Sequence, residues 1–387
     1  MEETSNNLNN YSLFLFTYLD YDKDKHFILF FIFHSSFQSK SLRQPQAFAF
    51  CKRFVNKWQE VLFSDTIGAT IKEKGGNAMG FLWILPAVAV AALVTAYVCY
   101  RMAFYVPPRK EGEVTQPLPL GEIYTPYRQQ MKQWKEEMDN LPHRQLQVTS
   151  FDGLRLYGNF YEYAPGAPIE LMFHGYRGSA QRDLCGGVQR CFALGRSALV
   201  VDQRCCGRSE GKTITFGIYE RRDCKTWLEF MGKEFPDRKI ILCGISMGAS
   251  TVMMMADEEL PPNVVGILAD CGYSTAKGII QKVIRDMGLP PRLAYPFVKL
   301  GARLYGGFDL EEKTPLDALK RSRLPVIFFH GEGDDFVPCD MSREAFDACS
   351  SRKQLVTIPG AGHGLAYLAD PETYLKELGA FFAKELA

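Results

Sequence analysis

From Arg144 onward the chain alternates short apolar runs with stretches whose apolar residues recur every three or four positions. Short runs suit strands, and the wider period suits helices. The runs fall at residues 145–149, 154–162, 169–173, 197–201, 239–243, 264–269, 325–329 and 354–358. The first two flank Asp152-Gly153, a hairpin signal. Helical stretches lie between most of the others, for example over 218–232 and 249–259. Parallel neighbours need crossover connections of this kind. The pattern therefore predicts an α/β fold with a mostly parallel sheet and helices on both faces.

Before Arg144 the pattern changes twice. Residues 81–100 read FLWILPAVAVAALVTAYVCY, with no charge and only Thr95 clearly polar. At about 1.5 Å per residue such a run spans about 30 Å, the thickness of a bilayer's hydrocarbon core. Trp83, Tyr97 and Tyr100 stand near its ends, where aromatic rings prefer the interface. The expectation is a single-pass transmembrane helix over 79–104. Arg101, Arg109 and Lys110 follow it and place the C-terminal side in the cytoplasm. A linker over 105–143 carries Pro107, Pro108, Pro117 and Pro119, then an amphipathic helix. Thr125-Pro126 opens that helix as N-cap and first helical residue. Tyr127, Met131, Trp134, Met138 and Leu141 form its apolar stripe, packed on the domain, and Pro142 ends it.

Residues 1–67 contain no glycine, a single proline (Pro45) and two alanines (Ala47, Ala49), while 11 of the 28 phenylalanines precede residue 64. A segment without glycine lacks a principal turn residue. Composition shifts near Gly75, just before Met79. Residues 1–78 are therefore expected to be an extension, disordered or foreign to the native protein, upstream of a natural start at Met79.

Composition narrows the function. The 47% hydrophobic and 23% charged content is that of a globular protein, and a net charge of +1 excludes a nucleic-acid binder held by phosphate contacts. No phosphate-binding GxxxxGK[ST] loop and no C-x-x-C pair occur, so no cofactor and no metal are predicted. The 11 cysteines are odd in number and scattered, which fits a reducing compartment rather than a disulfide framework.

The chemistry-bearing motifs sit at the carboxyl ends of predicted strands, where function gathers in such sheets. Gly244-Ile245-Ser246-Met247-Gly248 lies between a strand and a helix, the context of a nucleophile elbow. Flanking glycines permit a sharp turn that lifts Ser246 out of the sheet. His174-Gly175-Tyr176 follows another strand, and the backbone N–H groups of Tyr176 and Met247 could hold an oxyanion. His330-Gly331-Glu332-Gly333-Asp334-Asp335 offers a carboxylate, from Asp334 or Asp335, to orient a histidine base. Gly360-Ala361-Gly362-His363-Gly364 follows the last strand. Of six histidines, His26 and His34 lie in the extension and His143 precedes the sheet. His174 and His330 are tied to strand ends, which leaves His363 as base. The order Ser, Asp, His completes the pattern.

With these motifs the chain resembles the α/β-hydrolase superfamily, specifically its monoglyceride-lipase-like and small-esterase branch, over 145–387. The resemblance implies Ser246 as nucleophile, Asp334 rather than Asp335 as acid (through H-G-x-x-D-x-x-V-P), and His363 as base. It implies Tyr176 and Met247 as oxyanion donors. Asp202 to Gly211 looks like a family loop in which Cys205-Cys206 replaces Gly-His. It also implies a helical cap over the site from residues 274–322, within a hydrolase domain over 144–387. The expected function is a membrane-anchored serine hydrolase that cleaves carboxylic esters, some lipid-like, through an acyl-enzyme. A peptidase or thioesterase with the same triad is one alternative, and a catalytically retired membrane-tethered binding protein is another. Epoxide and haloalkane hydrolysis would need an aspartate where Ser246 stands.

Overall fold

The structure, a computed structural model, describes residues 11–19, 26–34, 78–107, 118–119 and 121–387. The chain divides into two compact units, Met1–Ala103 and Phe104–Ala387.

In the first unit, β1 (Tyr11–Leu19) and β2 (His26–His34) pair antiparallel from Tyr11↔His34 to Leu19↔His26. Both runs are rich in Phe, Leu, Ile and Tyr, residues that suit strands. They lie where composition suggests disorder, and the other residues before 78 lie outside those described. Helix α1 (Ala78–Ala103) contains the apolar run 81–100. The Thr95 hydroxyl donates back to the Ala91 carbonyl at 2.8 Å, so its polarity is satisfied within the helix. Among the described residues, no helix is long and apolar enough to cross a membrane.

The second unit opens on a short 3₁₀ turn (Glu122–Tyr127) and α2 (Arg128–Asn140). The α-helix predicted from Thr125 thus begins later, at Arg128, because Thr125 and Pro126 belong to the 3₁₀ turn that precedes it. Met131 and Met138 of α2 are buried as predicted, and Trp134 stacks on Tyr367 with ring centroids 5.4 Å apart.

The remaining strands are β3 (Arg144–Thr149), β4 (Arg155–Tyr161), β5 (Ile169–Phe173), β6 (Ser197–Val201), β7 (Ile240–Ile245), β8 (Val264–Asp270), β9 (Val326–Gly331) and β10 (Lys353–Ile358). They form one sheet in the order β10-β9-β8-β7-β5-β6-β4-β3. β3 and β4 form the hairpin, β4 runs antiparallel to β6, and all the other pairs are parallel. Between strands lie α3 (Cys185–Ala193), α4 (Glu220–Glu234), α5 (Met247–Met253), α6 (Ala276–Asp286), α7 (Pro291–Gly301) and α8 (Cys339–Ala348), and α9 (Pro371–Leu386) closes the chain. α5 is shorter than the stretch predicted to residue 259: beyond Met253 the backbone bonds are turn-like, as from Met255 to Val252.

Successive strand residues point to opposite faces, and the two cores follow from that. Ile240 and Leu242 of β7 join Trp227 and Leu228 of α4 and Val252 of α5 on one face. Ile241 and Cys243 join Val188 of α3 and Tyr374, Leu378 and Phe382 of α9 on the other. Both faces are covered, so the central runs are continuously apolar. The chain leaves β5 for β6 on one side and returns to β7 on the other. The carboxyl ends of β5 and β7 therefore flank a topological switch point, where open α/β sheets hold their ligands.

Candidate active site

Ser246 sits directly after β7 as the N-cap of α5, with φ 56° and ψ −120°. A non-glycine residue there is strained. Packing enforces the turn: a Cβ at Gly244 would lie 2.2 Å from the Gly248 backbone, and one at Gly248 would lie 2.0 Å from the Phe173 carbonyl oxygen. Both positions exclude any side chain. The Ser246 N–H donates to the Asp270 carbonyl at 2.8 Å, which ties the elbow to the end of β8.

The predicted partners arrive from two other strand ends. His363 Nε2 stands 2.9 Å from Ser246 Oγ, and its Nδ1 stands 2.6 Å from Asp334 Oδ2. A carboxylate only accepts, so Nδ1 carries the proton and Nε2 turns its lone pair to the serine hydroxyl. Asp334 Oδ1 accepts from the backbone N–H groups of Phe336 and Val337, each at 2.9 Å. Burial pushes this carboxyl up, but the hydrogen bonds from His330 and His363 prevail and hold it well below the usual carboxylate range. The choice left open between Asp334 and Asp335 is thus made by geometry: Asp334 is the one that meets His363.

The other two sheet histidines have different work. His330 is buried, and its Nδ1 lies 2.6 Å from the Ser342 hydroxyl. Its Nε2 faces Asp334 Oδ2 at 3.2 Å and the Val337 carbonyl at 2.9 Å, so it braces the acid loop. His174 Nε2 accepts from the Gln203 N–H at 3.0 Å, and Nδ1 meets the Gly175 carbonyl at 2.8 Å. Burial lowers its pKa and keeps the ring neutral.

The proposed oxyanion donors flank the serine. Met247 is the first residue of α5, so its N–H has no intrahelical acceptor. Tyr176 follows Gly175, where an added Cβ would lie 3.8 Å from Ser246 Oγ. The β5 loop therefore passes beside the hydroxyl. Cys271, Asp334 and His363 each place one possible metal-ligand atom within 4.8 Å of one another. His363 and Asp334 of this group are already joined by the Nδ1–Oδ2 hydrogen bond.

A family model described as "Alpha/beta hydrolase family" matches residues 171–377, more than half of the chain. The chain belongs to the alpha/beta hydrolase family. Among curated proteins, this hydrolase-family chain is 26% identical over 190 residues to the uncharacterized protein YqkD of Bacillus subtilis, covering 49% of this chain and 62% of that protein. It is 24% identical over 224 residues to protein bem46 of Schizosaccharomyces pombe, covering 56% and 68%. Among solved structures, an esterase of Pyrococcus furiosus superposes with a TM-score of 0.53 at 20% identity, over 70% of this chain and 97% of that one. The alpha/beta hydrolase GrgF from a Penicillium species superposes with a TM-score of 0.50 at 18% identity, over 64% and 99%. These likenesses bear out the fold read from the sequence.

A cavity of about 430 Å³ opens beside Ser246 and His363. Ile123, Met131, Trp134, Met172, Ile245 and Leu368 give it apolar walls. Residues 274–322, expected as a cap over the site, contribute no lining residue. Their helices α6 and α7 pack on each other, and Lys282 of α6 binds the Asp335 carbonyl beside the acid loop. Part of the wall is instead formed by Pro119, Ile123, Tyr124, Met131 and Trp134, and the Tyr124 hydroxyl donates to the His363 carbonyl at 3.2 Å. Sequence reasoning missed two further cavity residues, Asp270 and Arg190. The signals existed: an acid ends the apolar run of β8, and a charge sits on the apolar face of α3.

Proposed function

We propose that the chain is a serine hydrolase that cleaves carboxylic esters by two-step acyl transfer. His363 removes the Ser246 proton as the hydroxyl attacks the ester carbonyl. The backbone N–H groups of Tyr176 and Met247 hold the oxyanion, and Asp334 keeps the imidazole in one tautomer and stabilises its cationic form. The alcohol leaves with a proton from His363. Water, activated by the same ring, then releases the acid. One observation carries this reading: the 2.9 Å contact between His363 Nε2 and Ser246 Oγ, with Asp334 on the opposite ring nitrogen. The apolar cavity walls favour an acyl group over a charged substrate. A fluorophosphonate probe should label the purified protein at Ser246, and aryl acetates should be hydrolysed. A protein that neither reacts with the probe nor turns over the ester would refute the reading.

We also propose that residues 81–100 anchor the chain in a membrane with the hydrolase domain on the cytoplasmic side. The uncharged twenty-residue run and the basic residues after it support this. Full-length protein should stay with membranes after carbonate extraction, and release by carbonate would overturn the proposal.

A further inference from the structure

The turn that carries the Tyr176 N–H begins and ends on glycine. It runs from Gly175 to Gly178 and is closed by the Gly178 N–H, which donates to the Gly175 carbonyl at 3.1 Å. Glycine backbone is permissive. Arg177 sits inside the turn at φ 52°, a left-handed conformation that an arginine keeps only where its surroundings impose it. The residues of the turn do not dictate this shape, so neighbouring groups must.

Those groups can be followed peptide by peptide, because each peptide unit is a rigid plane. The plane between Gly175 and Tyr176 carries the Tyr176 N–H. Its carbonyl takes the Gly178 bond and lies 2.8 Å from His174 Nδ1. The plane before it, between His174 and Gly175, is held at both edges. Its carbonyl accepts from Gln203 Nε2, and its N–H donates to Asp183 Oδ2 at 3.2 Å. The Asp183 carboxylate fills the hollow of the turn. A Cβ at Gly178 would lie 1.9 Å from Oδ2, and one at Gly175 would lie 3.4 Å from Oδ2 and 3.8 Å from Ser246 Oγ.

Asp183 is itself fixed. It ends a single helical turn, Ala180–Asp183, and its N–H donates to the Ser179 carbonyl at 3.0 Å. The Ala180 N–H donates to Asp202 Oδ1 at 3.0 Å, which ties that turn to the end of β6. Arg182 forks onto the carboxylate, Nε to Oδ1 and Nη2 to Oδ2. Asp183 and Arg182 both line the cavity beside Ser246. An isolated carboxylate there would oppose a developing oxyanion, and the arginine fork offsets its charge.

We propose that Asp183 is a positioning residue for the reaction. Through the Gly175 N–H it sets the turn that aims the Tyr176 N–H at the oxyanion, and Arg182 holds it in place. The inference rests on the hydrolase reading above and adds a residue that acts through the backbone rather than on the reacting atoms.

The test compares the full-length parent with Asp183→Ala and Asp183→Asn on aryl acetates. Rates are expressed per serine labelled by a fluorophosphonate at completion, so misfolded protein drops out. Asp183→Ala should lower kcat by about 10²-fold, the effect of a misplaced catalytic group, with KM changed by less than about threefold. Asp183→Asn keeps an acceptor for the Gly175 N–H and should recover at least about tenfold of that loss. An aryl trifluoromethyl ketone separates positioning from mere folding. Ser246 Oγ adds to its carbonyl and passes its proton to His363, which leaves a tetrahedral oxyanion. Its affinity for Asp183→Ala should fall by about the factor lost from kcat/KM, while the aryl methyl ketone, which stays trigonal, should bind both proteins alike. Unchanged kcat per labelled serine in Asp183→Ala would overturn the inference. So would a fall in kcat with no loss of trifluoromethyl ketone affinity. A parent that neither labels nor hydrolyses would instead sink the hydrolase reading. Should Asp183→Ala yield no labelled serine, Arg182→Met loosens the same carboxylate. A matched fall in kcat and trifluoromethyl ketone affinity there would support the assignment, and parental values of both would overturn it.

Discussion

Asp334 and Asp270 stand at the ends of adjacent strands, β9 and β8, and both are buried, yet their surroundings differ. Asp334 accepts two backbone N–H groups on one oxygen and faces two imidazoles on the other. Asp270 accepts one phenol O–H, and its second oxygen has no partner among the described residues. Burial pushes both carboxyls up. In Asp334 the hydrogen bonds from His330 and His363 reverse the effect. In Asp270 the Tyr374 hydrogen bond and the charge of Arg190 do not, and the carboxyl stays raised. Burial and donor supply together set the direction of the shift: the more deeply buried Asp270, with fewer donors, goes up, and the better supplied Asp334 goes down. The saturated acid suits a fixed role in orienting His363, whereas the half-used one has its charged form disfavoured by burial.

The largest effect sets the baseline for both. Ser246→Ala removes the nucleophile that Asp334 serves through His363. It should reduce kcat by about 10⁶-fold, and probe labelling should vanish with it. Aryl-ester turnover within tenfold of the parent would dissolve the comparison, because neither acid would then belong to an active site.

Asp334→Asn separates the two. Asparagine would present N–H or C=O to His363 without fixing the tautomer, and kcat should fall by about 10⁴-fold with a small change in KM. The pH dependence of stability carries a sign. The folded pKa of Asp334 lies below its unfolded value, so its contribution is complete above the ordinary carboxylate value of about 3.9 and is lost as pH falls below it. Thermal melts of parent and variant should therefore differ most near neutral pH and converge in acid. A gap independent of pH would show that Asp334 is not held as a charged group.

Much of this contrast was legible beforehand, and the unread part is instructive. Ser246, Asp334 and His363 announce themselves because each sits in a glycine-rich turn after an apolar run, where a side chain has no packing task. The eight strands of the sheet were legible for the same reason. Asp270 was not, since it is the last residue of its strand and reads as the strand simply ending. Glu170 and Arg190 hide inside apolar stretches, and their contacts across the fold, with each other and with Arg196, explain them. The wall formed by Ile123, Tyr124, Met131 and Trp134 was missed because periodicity shows that a helix has an apolar face but not what that face covers. The stretch over 274–322 was expected as the lid from the family resemblance and its apolar residues, neither of which shows what its helices pack against.

Tyr374→Phe tests the weaker acid through the one donor it has among the described residues. It should lower stability by about 1–3 kcal/mol at neutral pH, because a buried carboxylate loses its remaining hydrogen bond. The loss should shrink in acid, where Asp270 is protonated in both states. An unchanged melting temperature at neutral pH would mean that the Tyr374–Asp270 contact has no energetic weight.

The smallest effect has the opposite sign and is the sharpest test of the contrast. Asp270 binds its proton more tightly folded than unfolded. Its contribution to stability is therefore lost as pH rises from the unfolded value of about 3.9 through the higher folded one. Replacing it by the neutral isostere in Asp270→Asn should raise stability at neutral pH by about 1 kcal/mol, or roughly 2–4 °C for a domain of this size. The gain should disappear below about pH 4, where the parent side chain is neutral in both states. Two neighbouring aspartates would then respond to one substitution in opposite directions, Asp334→Asn losing stability and Asp270→Asn gaining it. A variant less stable than the parent at neutral pH would mean that Asp270 is a structural anchor like Asp334.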